Sequence, residues 1–112
     1  MSTIDKIAFN LGIRDEKPNQ ELAKELADTN NRERIKEIID NLNNKNKNIQ
    51  SDCLKVIYET GYIKPELIAD YAEQYVNLLQ SKNNRMVWGA MIAISTISDL
   101  QADFLFKHID SL

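Results

Sequence analysis

The sequence IIDNLNNKNKNIQSDCLKVI at residues 38–57 is followed by YVNLLQSKNNRMVWGAMIAI at residues 75–94, and the two segments align at a shift of 37 positions (79 minus 42). Leu42 then falls on Leu79, and apolar residues occupy most of the same positions in both segments. These apolar positions recur with the spacing of one helix face, not with the alternation typical of a strand. A helical pattern that repeats at this interval predicts a stacked array of helical hairpins.

The composition of the chain also favours an all-α fold. Its 112 residues include only three Gly and two Pro, and a protein built from many short strands needs more of these turn-forming residues. A hydrophobic content of 43% with 28% charged residues is ordinary for a globular domain. We therefore expect an α-α superhelix of about three antiparallel helical hairpins, preceded by a short N-terminal capping helix.

The repeat divides a single domain, residues 1–112, into a cap and a series of hairpins. We assign residues 1–18 to an N-terminal cap and linker, and we place the hairpins at residues 19–44, 47–80 and 83–112. The turns between hairpins, residues 43–48 and 80–85, are rich in Asn. Because Asn tolerates left-handed backbone and caps helices, these stretches are predicted to be ordered turns and not flexible linkers.

Four residues are predicted to mark helix ends. Gly12 would end a short helix over residues 3–12, and Asn19 would cap the next helix. Gly61 would end the first helix of the second hairpin in a left-handed conformation. Pro65 would then begin a partner helix that continues without interruption to about residue 80.

The helix that begins at Asn83 or Asn84 has apolar residues on several sides, so we expect neighbouring helices to enclose it. The shift of 37 positions places the counterpart of Gln80 at position 117, five beyond Leu112. The array would therefore stop inside a helix. We expect either that the chain is a fragment of a longer solenoid or that another surface covers its C-terminal layer, which would allow self-association.

Charge and cysteine content narrow the possible functions. The formal net charge is −3 and the isoelectric point is near 5.1, so no strong basic field attracts nucleic acid. A single cysteine forms no internal disulfide, and no cluster of Cys and His suggests a metal site. The sequence contains neither a signal peptide pattern nor a membrane-spanning apolar stretch. These features predict a cytoplasmic protein without metal or cofactor that does not enter a membrane.

No combination of residues predicts catalysis. His108 is the only histidine, and Cys53 lies in the apolar stripe of a different helix, where core packing is the expected role. The carboxylates are paired at helical spacing, but nothing in the sequence builds a pocket that would shift their pKa values. We therefore predict a protein that is not an enzyme.

The sequence resembles the α-solenoids of HEAT and armadillo type. The similarity lies in IQSDCLKVI at residues 49–57, in its repeat RMVWGAM at residues 85–91, and in YIKPEL at residues 62–67, which are similar to small bacterial HEAT-like proteins without assigned activity. It covers about residues 19–112. The resemblance implies a superhelical scaffold in which the second helix of each hairpin lines the concave face.

The main candidate for a binding surface is the polar face of the second helices. Its predicted residues are Glu66, Asp70, Glu73, Asn77, Lys36 and Asp40. The repeat aligns Glu33 with Asp70 and Lys36 with Glu73, so stacked hairpins would place these side chains in adjacent rows. We therefore predict that the chain is a non-enzymatic scaffold or adaptor that binds a protein or peptide through this face. A merely solvated helix face is the competing interpretation.

The alternative candidate uses the turns between hairpins. Its predicted residues are Lys45, Lys47, Lys82, Arg85 and Trp88. Basic residues beside an aromatic ring are a minimal pattern for nucleic-acid binding, and HEAT-like DNA glycosylases share the implied fold. No glycosylase motif is present, and four basic residues neutralise few phosphates, so binding would be weak. We expect Trp88 to pack between hairpins, where it would not contact nucleic acid.

Overall fold

The structure is a computed structural model that describes residues 3–7, 12 and 17–102. This part of the chain is all-helical and contains no strand, which confirms the predicted all-α class. Its α-helices are α1 (Lys17–Thr29), α2 (Arg32–Asp40), α3 (Lys47–Ile63), α4 (Ala72–Leu78) and α5 (Asn84–Ile97). Short 3₁₀ helices occur at Thr3–Lys6, Asn41–Asn43, Pro65–Leu67 and Ala69–Tyr71. Predictions about the last helix, the C-terminal layer and His108 fall outside the described residues.

Helices α1 and α3 lie side by side and point in the same direction. Near their starts, the Asn19 side-chain amide donates a hydrogen bond of 3.0 Å to the Asp52 carboxylate. Just beyond their ends, the Lys64 ammonium group donates one of 2.9 Å to the Asn30 side-chain oxygen. Because the start of α1 contacts the start of α3, and the segments after their ends also contact each other, the two helices are parallel.

Two glycines allow α3 and α5 to approach closely. A Cβ on Gly61 would lie 2.8 Å from the Ile68 Cδ1 atom and would also collide with the Thr96 side chain. A Cβ on Gly89 would lie 2.6 Å from the Leu54 Cδ2 atom. These contacts occur in the same order along both helices, so α5 is parallel to α3 and extends the layer that α1 and α3 begin.

The remaining segments form a second layer on this first one. Across the turn at Asn30, the Arg34 guanidinium group of α2 bonds the Glu25 carboxylate of α1 at 3.0 Å, so α1 and α2 form an antiparallel hairpin. Helix α2 also packs against α3, and α4 packs against α5. Each second-layer helix therefore contacts the first helix of the following hairpin, which gives the described part of the chain a helical-repeat organisation.

Asparagines begin three of the helices. The side-chain oxygen of Asn31 accepts a hydrogen bond from the backbone of α2, and that of Asn46 accepts bonds of 2.8 and 3.3 Å from the first turn of α3. Asn83, which is aligned with Asn46 by the repeat, caps α5 in the same way at 3.0 Å. These caps confirm that the Asn-rich segments are ordered turns.

The apolar stripes predicted from the sequence meet in one core. Its largest fully buried apolar side chains include Leu26, Ile35, Ile38, Leu54, Ile57, Ile68, Tyr75, Met86 and Ile97. The Tyr75 hydroxyl group donates a 2.8 Å hydrogen bond to the Ile68 carbonyl, so this polar atom is satisfied in the core. Within the described residues, no buried side-chain nitrogen or oxygen lacks a hydrogen-bond partner.

Two of the predicted helix ends are wrong. Asn19 is not a cap: it is a buried residue inside α1, and its amide is used for the contact with Asp52. Gly61 does not end α3, which continues to Ile63. Sequence alone does not distinguish a terminal glycine from one that is required by close helix packing. Gly61 is of the second kind, because its missing side chain makes room for Thr96.

The predicted continuous helix after Pro65 is also wrong. Pro65 does begin a helical turn, but this turn is a 3₁₀ helix, a second 3₁₀ turn follows it, and α4 starts only at Ala72. The Ile68 carbonyl explains the interruption. It accepts hydrogen bonds from the Tyr71 backbone and the Tyr75 hydroxyl group, and so is not used to continue a regular α-helix.

We expect Gly61→Ala to lower the free energy of unfolding by about 1–3 kcal/mol, because the added methyl group overpacks the contact between α3 and α5. In an open helix the same change would raise stability by about 1 kcal/mol. Urea unfolding of the wild type, Gly61→Ala, Thr96→Ala and the double variant measures the effect. Thr96→Ala should recover part of the loss, whereas a stabilised Gly61→Ala variant would contradict the packing described above.

Candidate functional site

An exposed aromatic surface lies along the outer edge of α3 and α5. Trp88 of α5 is 67% exposed and Met91, one turn further on, is 52% exposed. On α3, Tyr62 is 63% exposed, and its ring contacts that of Tyr58 edge to face at a centroid distance of 6.0 Å. Large apolar side chains that are exposed together in this way usually mark an interaction site.

A cavity of about 400 Å³ lies between Trp88 of α5 and Tyr58 of α3. We call it the aromatic groove, and its lining residues are Ser51, Asp52, Leu54, Lys55, Tyr58, Arg85, Trp88 and Gly89. Gly89 supplies no side chain, so the groove reaches the Leu54 side chain beneath it. The same glycine that brings α3 and α5 together therefore also keeps the space between Trp88 and Tyr58 open.

The charges in the aromatic groove are mixed. The Lys55 ammonium group lies 5.1 Å from the centre of the Tyr58 ring and 3.5 Å from the Glu59 carboxylate. Asp52 lines the same cavity, and Arg85 is exposed at the opposite wall. A ligand in the groove would meet aromatic faces together with hydrogen-bonding groups of both signs.

The turns between hairpins form a second cavity, of about 740 Å³, at the starts of α3 and α5. We call it the basic cavity, and its lining residues are Lys47, Asn48, Gln50, Ser81, Lys82, Asn83, Asn84 and Arg85. Three of the four basic residues predicted for the nucleic-acid site therefore come together, whereas Lys45 is exposed in the turn and does not line the cavity. Arg85 lines both cavities, so the basic cavity and the aromatic groove adjoin each other.

The exposure of Trp88 corrects two predictions: that this ring packs between hairpins, and that neighbouring helices enclose α5. The buried face of α5 is formed by Met86, Gly89, Ala90, Ala93 and Ile97. Trp88 lies off this stripe, and Met91 also faces outward. The sequence of α5 is apolar on several sides because one side is the core and another is an exposed surface.

The second-helix face predicted to bind a partner is well exposed but divided. Glu66 and Asp70 lie on separate 3₁₀ turns, and Glu73 and Asn77 follow on α4, so these four side chains do not form one row on a regular helix. The Asp70 carboxylate lies 3.7 Å from the Arg32 guanidinium group. Lys36 and Asp40 pair with each other at 3.5 Å.

Cys53 is not positioned to act as a nucleophile. Cys53 is completely buried in the core, and burial, together with the charges of Asp52 and Glu37, raises the pKa of its thiol to about 12. The lowered pKa of Glu25 has a structural cause, since this carboxylate accepts hydrogen bonds from Arg34 and Lys6. Both groups stabilise the fold, and neither faces the aromatic groove.

Three further findings concern metal binding, membrane insertion and similarity to known proteins. Within residues 3–7, 12 and 17–102, no group of three or more His, Cys, Asp or Glu side chains could hold a metal ion. None of the helices in this part of the chain is long and apolar enough to cross a bilayer. No known protein family, curated protein or solved structure matches the chain.

Sequence reasoning missed most of the aromatic groove. It identified Arg85 and Trp88, but it did not include Lys55, Tyr58 or Tyr62 on the facing helix. Their spacing in the sequence could have indicated a shared surface, because these three residues follow one another at intervals of three and four positions, as on one face of a helix. Only the close parallel packing of α3 and α5 shows that Lys55 and Tyr58 face Trp88 across a groove.

We expect the Cys53 thiol to be alkylated by iodoacetamide only when the chain unfolds. Burial excludes the reagent, and a pKa of about 12 keeps the thiol protonated in the folded protein at pH 9.0, where an ordinary cysteine is half ionised. The rate, followed by mass spectrometry, should therefore stay far below that of the urea-unfolded chain both at neutral pH and at pH 9.0. The chain in urea is the control, and rapid alkylation of the folded protein would contradict the placement of Cys53.

Proposed function

We propose that the chain is a non-enzymatic, cytoplasmic scaffold of the HEAT-like α-solenoid type that binds a protein partner. The solenoid is supported by the parallel layer of α1, α3 and α5 and by the second-layer packing of α2 on α3 and α4 on α5. It is also supported by the caps Asn46 and Asn83, which recur at the repeat interval. A buried free thiol at Cys53 suits a reducing compartment.

The observation that carries the proposal is the exposure of Trp88, 67%, beside an open cavity. Tryptophan, tyrosine and arginine are the residues that most often dominate binding energy in protein interfaces, and Trp88, Tyr58 and Arg85 line one groove here. Covering the exposed part of the Trp88 ring would contribute about 3 kcal/mol through apolar burial. Neither histidine nor cysteine lines this groove, so binding suits it better than acid–base or thiol chemistry.

The polar second-helix face is the less favoured surface for the same partner. Three of its six predicted residues, Asp70, Lys36 and Asp40, already make ion pairs within the chain. Exposed charges of this kind each contribute little to binding, about 0–1 kcal/mol. We therefore place the main contact in the aromatic groove, and assign the second-helix face a role in setting the orientation of the partner.

We expect Trp88→Ala to abolish capture of the partner while leaving the fold intact, since the ring is mostly exposed. Wild type, Trp88→Ala and the double charge reversal Asp70→Lys/Glu73→Lys should be used as baits in lysate of the host, with mass spectrometry of the bound proteins. Circular dichroism and urea unfolding check that each bait is folded.

A protein retained by the wild type and the charge-reversal bait, but lost with Trp88→Ala, supports binding through the aromatic groove. If the captured protein is lost only with the Asp70→Lys/Glu73→Lys bait, the interface lies on the second-helix face instead. If the three baits capture the same proteins in equal amounts, neither surface binds them and the proposal fails.

A second candidate function is weak binding of single-stranded nucleic acid, and the basic cavity is the observation that favours it. Lys47, Lys82 and Arg85 line this cavity, and Arg85 connects it to the exposed ring of Trp88. Backbone phosphates would contact the cations, and a base would stack on the tryptophan. The net charge of −3 and the small number of cations limit the affinity.

This second candidate predicts weak, salt-dependent binding of an oligothymidylate. In fluorescence anisotropy, contacts with three cations give a slope of log affinity against log salt no steeper than about −2. Lys47→Glu/Lys82→Glu should remove the binding. An anisotropy that stays constant at low salt up to the highest usable protein concentration would exclude nucleic acid as the ligand.

A further inference from the structure

The starts of α1, α3 and α5 form a basic edge. Because these helices are parallel, their first turns lie at the same end of the layer, and none of these turns contains an acidic residue. The second-layer segments run from the other end and begin with Glu33, Glu66, Asp70 and Glu73. The acids of the helix starts are therefore confined to the second-layer end, where the cations Arg32 and Arg34 of α2 are paired with carboxylates.

The stability of the helices does not explain why cations occupy this edge. Lys47 is the first residue of α3 and Arg85 the second residue of α5. A helix N-terminus carries a partial positive charge, so a cation there disfavours the helix, and an acidic residue would stabilise it. An anion bound between the two helix starts would reverse this effect.

Four cations of this edge, all at the starts of α3 and α5 or in the turns that precede them, also have no ionic partner within the described chain. Lys45, Lys47, Lys82 and Arg85 make no ion pair with any residue in the described ranges, whereas Lys6, Arg32, Arg34, Lys36 and Lys55 each pair with a carboxylate. Lys47, Lys82 and Arg85, which line the basic cavity, are thus charged, accessible and unneutralised. They offer contacts to an anionic ligand that adjoins the aromatic groove.

We propose that the ligand of this surface is an acidic peptide segment, with its carboxylates in the basic cavity and a neighbouring apolar side chain in the aromatic groove. This inference rests on the proposed function, since it specifies the protein partner. Arg85 is the residue at which the two parts of the peptide would meet, because it lines both cavities. Lys47 and Lys82 would bind the carboxylates, and Trp88 would cover the apolar side chain.

The charges of the groove favour a peptide over a polynucleotide. Asp52 lines the aromatic groove, and the whole chain has a net charge of −3. A nucleic acid carries a phosphate at every nucleotide and would place some of these charges against Asp52 as it passed along the groove. A peptide can restrict its acidic residues to the basic cavity and present an uncharged side chain to Trp88.

A phage-displayed library of random dodecapeptides tests this inference with the full chain as the target. We expect selection to enrich peptides in which Asp or Glu residues adjoin an aromatic or aliphatic residue. A labelled synthetic copy of an enriched peptide should bind Lys47→Glu/Lys82→Glu at least about tenfold more weakly than wild type, since each reversal turns an attraction into a repulsion. Adding a carboxylate at the start of α3 favours the helix, so unfolding would not explain the loss.

Three further variants separate the possible outcomes. Lys24→Glu reverses one exposed charge outside both cavities, and it should bind the peptide almost as wild type does, whereas Lys82→Glu alone should already weaken binding. Trp88→Ala should release the peptide.

Enriched peptides that lack acidic residues, or that bind the charge reversal at Lys47 and Lys82 unchanged, would overturn the acidic ligand while leaving the aromatic groove as the binding site. If no enriched peptide depends on Trp88, the proposed function itself fails. Binding of an oligothymidylate more tightly than any selected peptide would overturn the peptide in favour of nucleic acid.

Discussion

The close approach of α3 and α5 is the constraint on which the rest of the structure depends. Gly61 and Gly89 remove side chains at the two points where these parallel helices meet, and Thr96 and Leu54 fill the space. This contact fixes the rotation of α5 about its own axis. Once Gly89 faces Leu54, its neighbour Trp88 must point away from the core, and the groove between α3 and α5 follows from the same geometry.

The repeated turns have a comparable role at the ends of the helices. Asn46 and Asn83 each bond the backbone of the helix that they start, so the preceding turns are held in the same conformation in successive hairpins. Lys82 lies in one of these turns and Lys47 follows the cap of the other, and the parallel layer brings both to one cavity. Local capping and long-range packing together therefore place a charged surface next to an aromatic one.

The sequence was sufficient for the all-α class, the Asn-rich turns and most of the core, because these depend on periodicity and local capping. It failed where a residue has a long-range role: Asn19 bonds a neighbouring helix, and Gly61 makes room for one. The site was predictable only in part for the same reason. The repeat indicated Lys82, Arg85 and Trp88, but no pattern within one helix shows that Tyr58 faces Trp88 across a groove.

The most direct test of this account is the fluorescence of Trp88, the only tryptophan in the chain. If the ring is exposed beside the groove, the folded protein should emit at long wavelength, and acrylamide should quench it nearly as strongly as the urea-unfolded chain. Emission shifted to short wavelength and protected from acrylamide in the free protein would show that the ring is packed between hairpins. That result would contradict the aromatic groove and the binding function proposed for it.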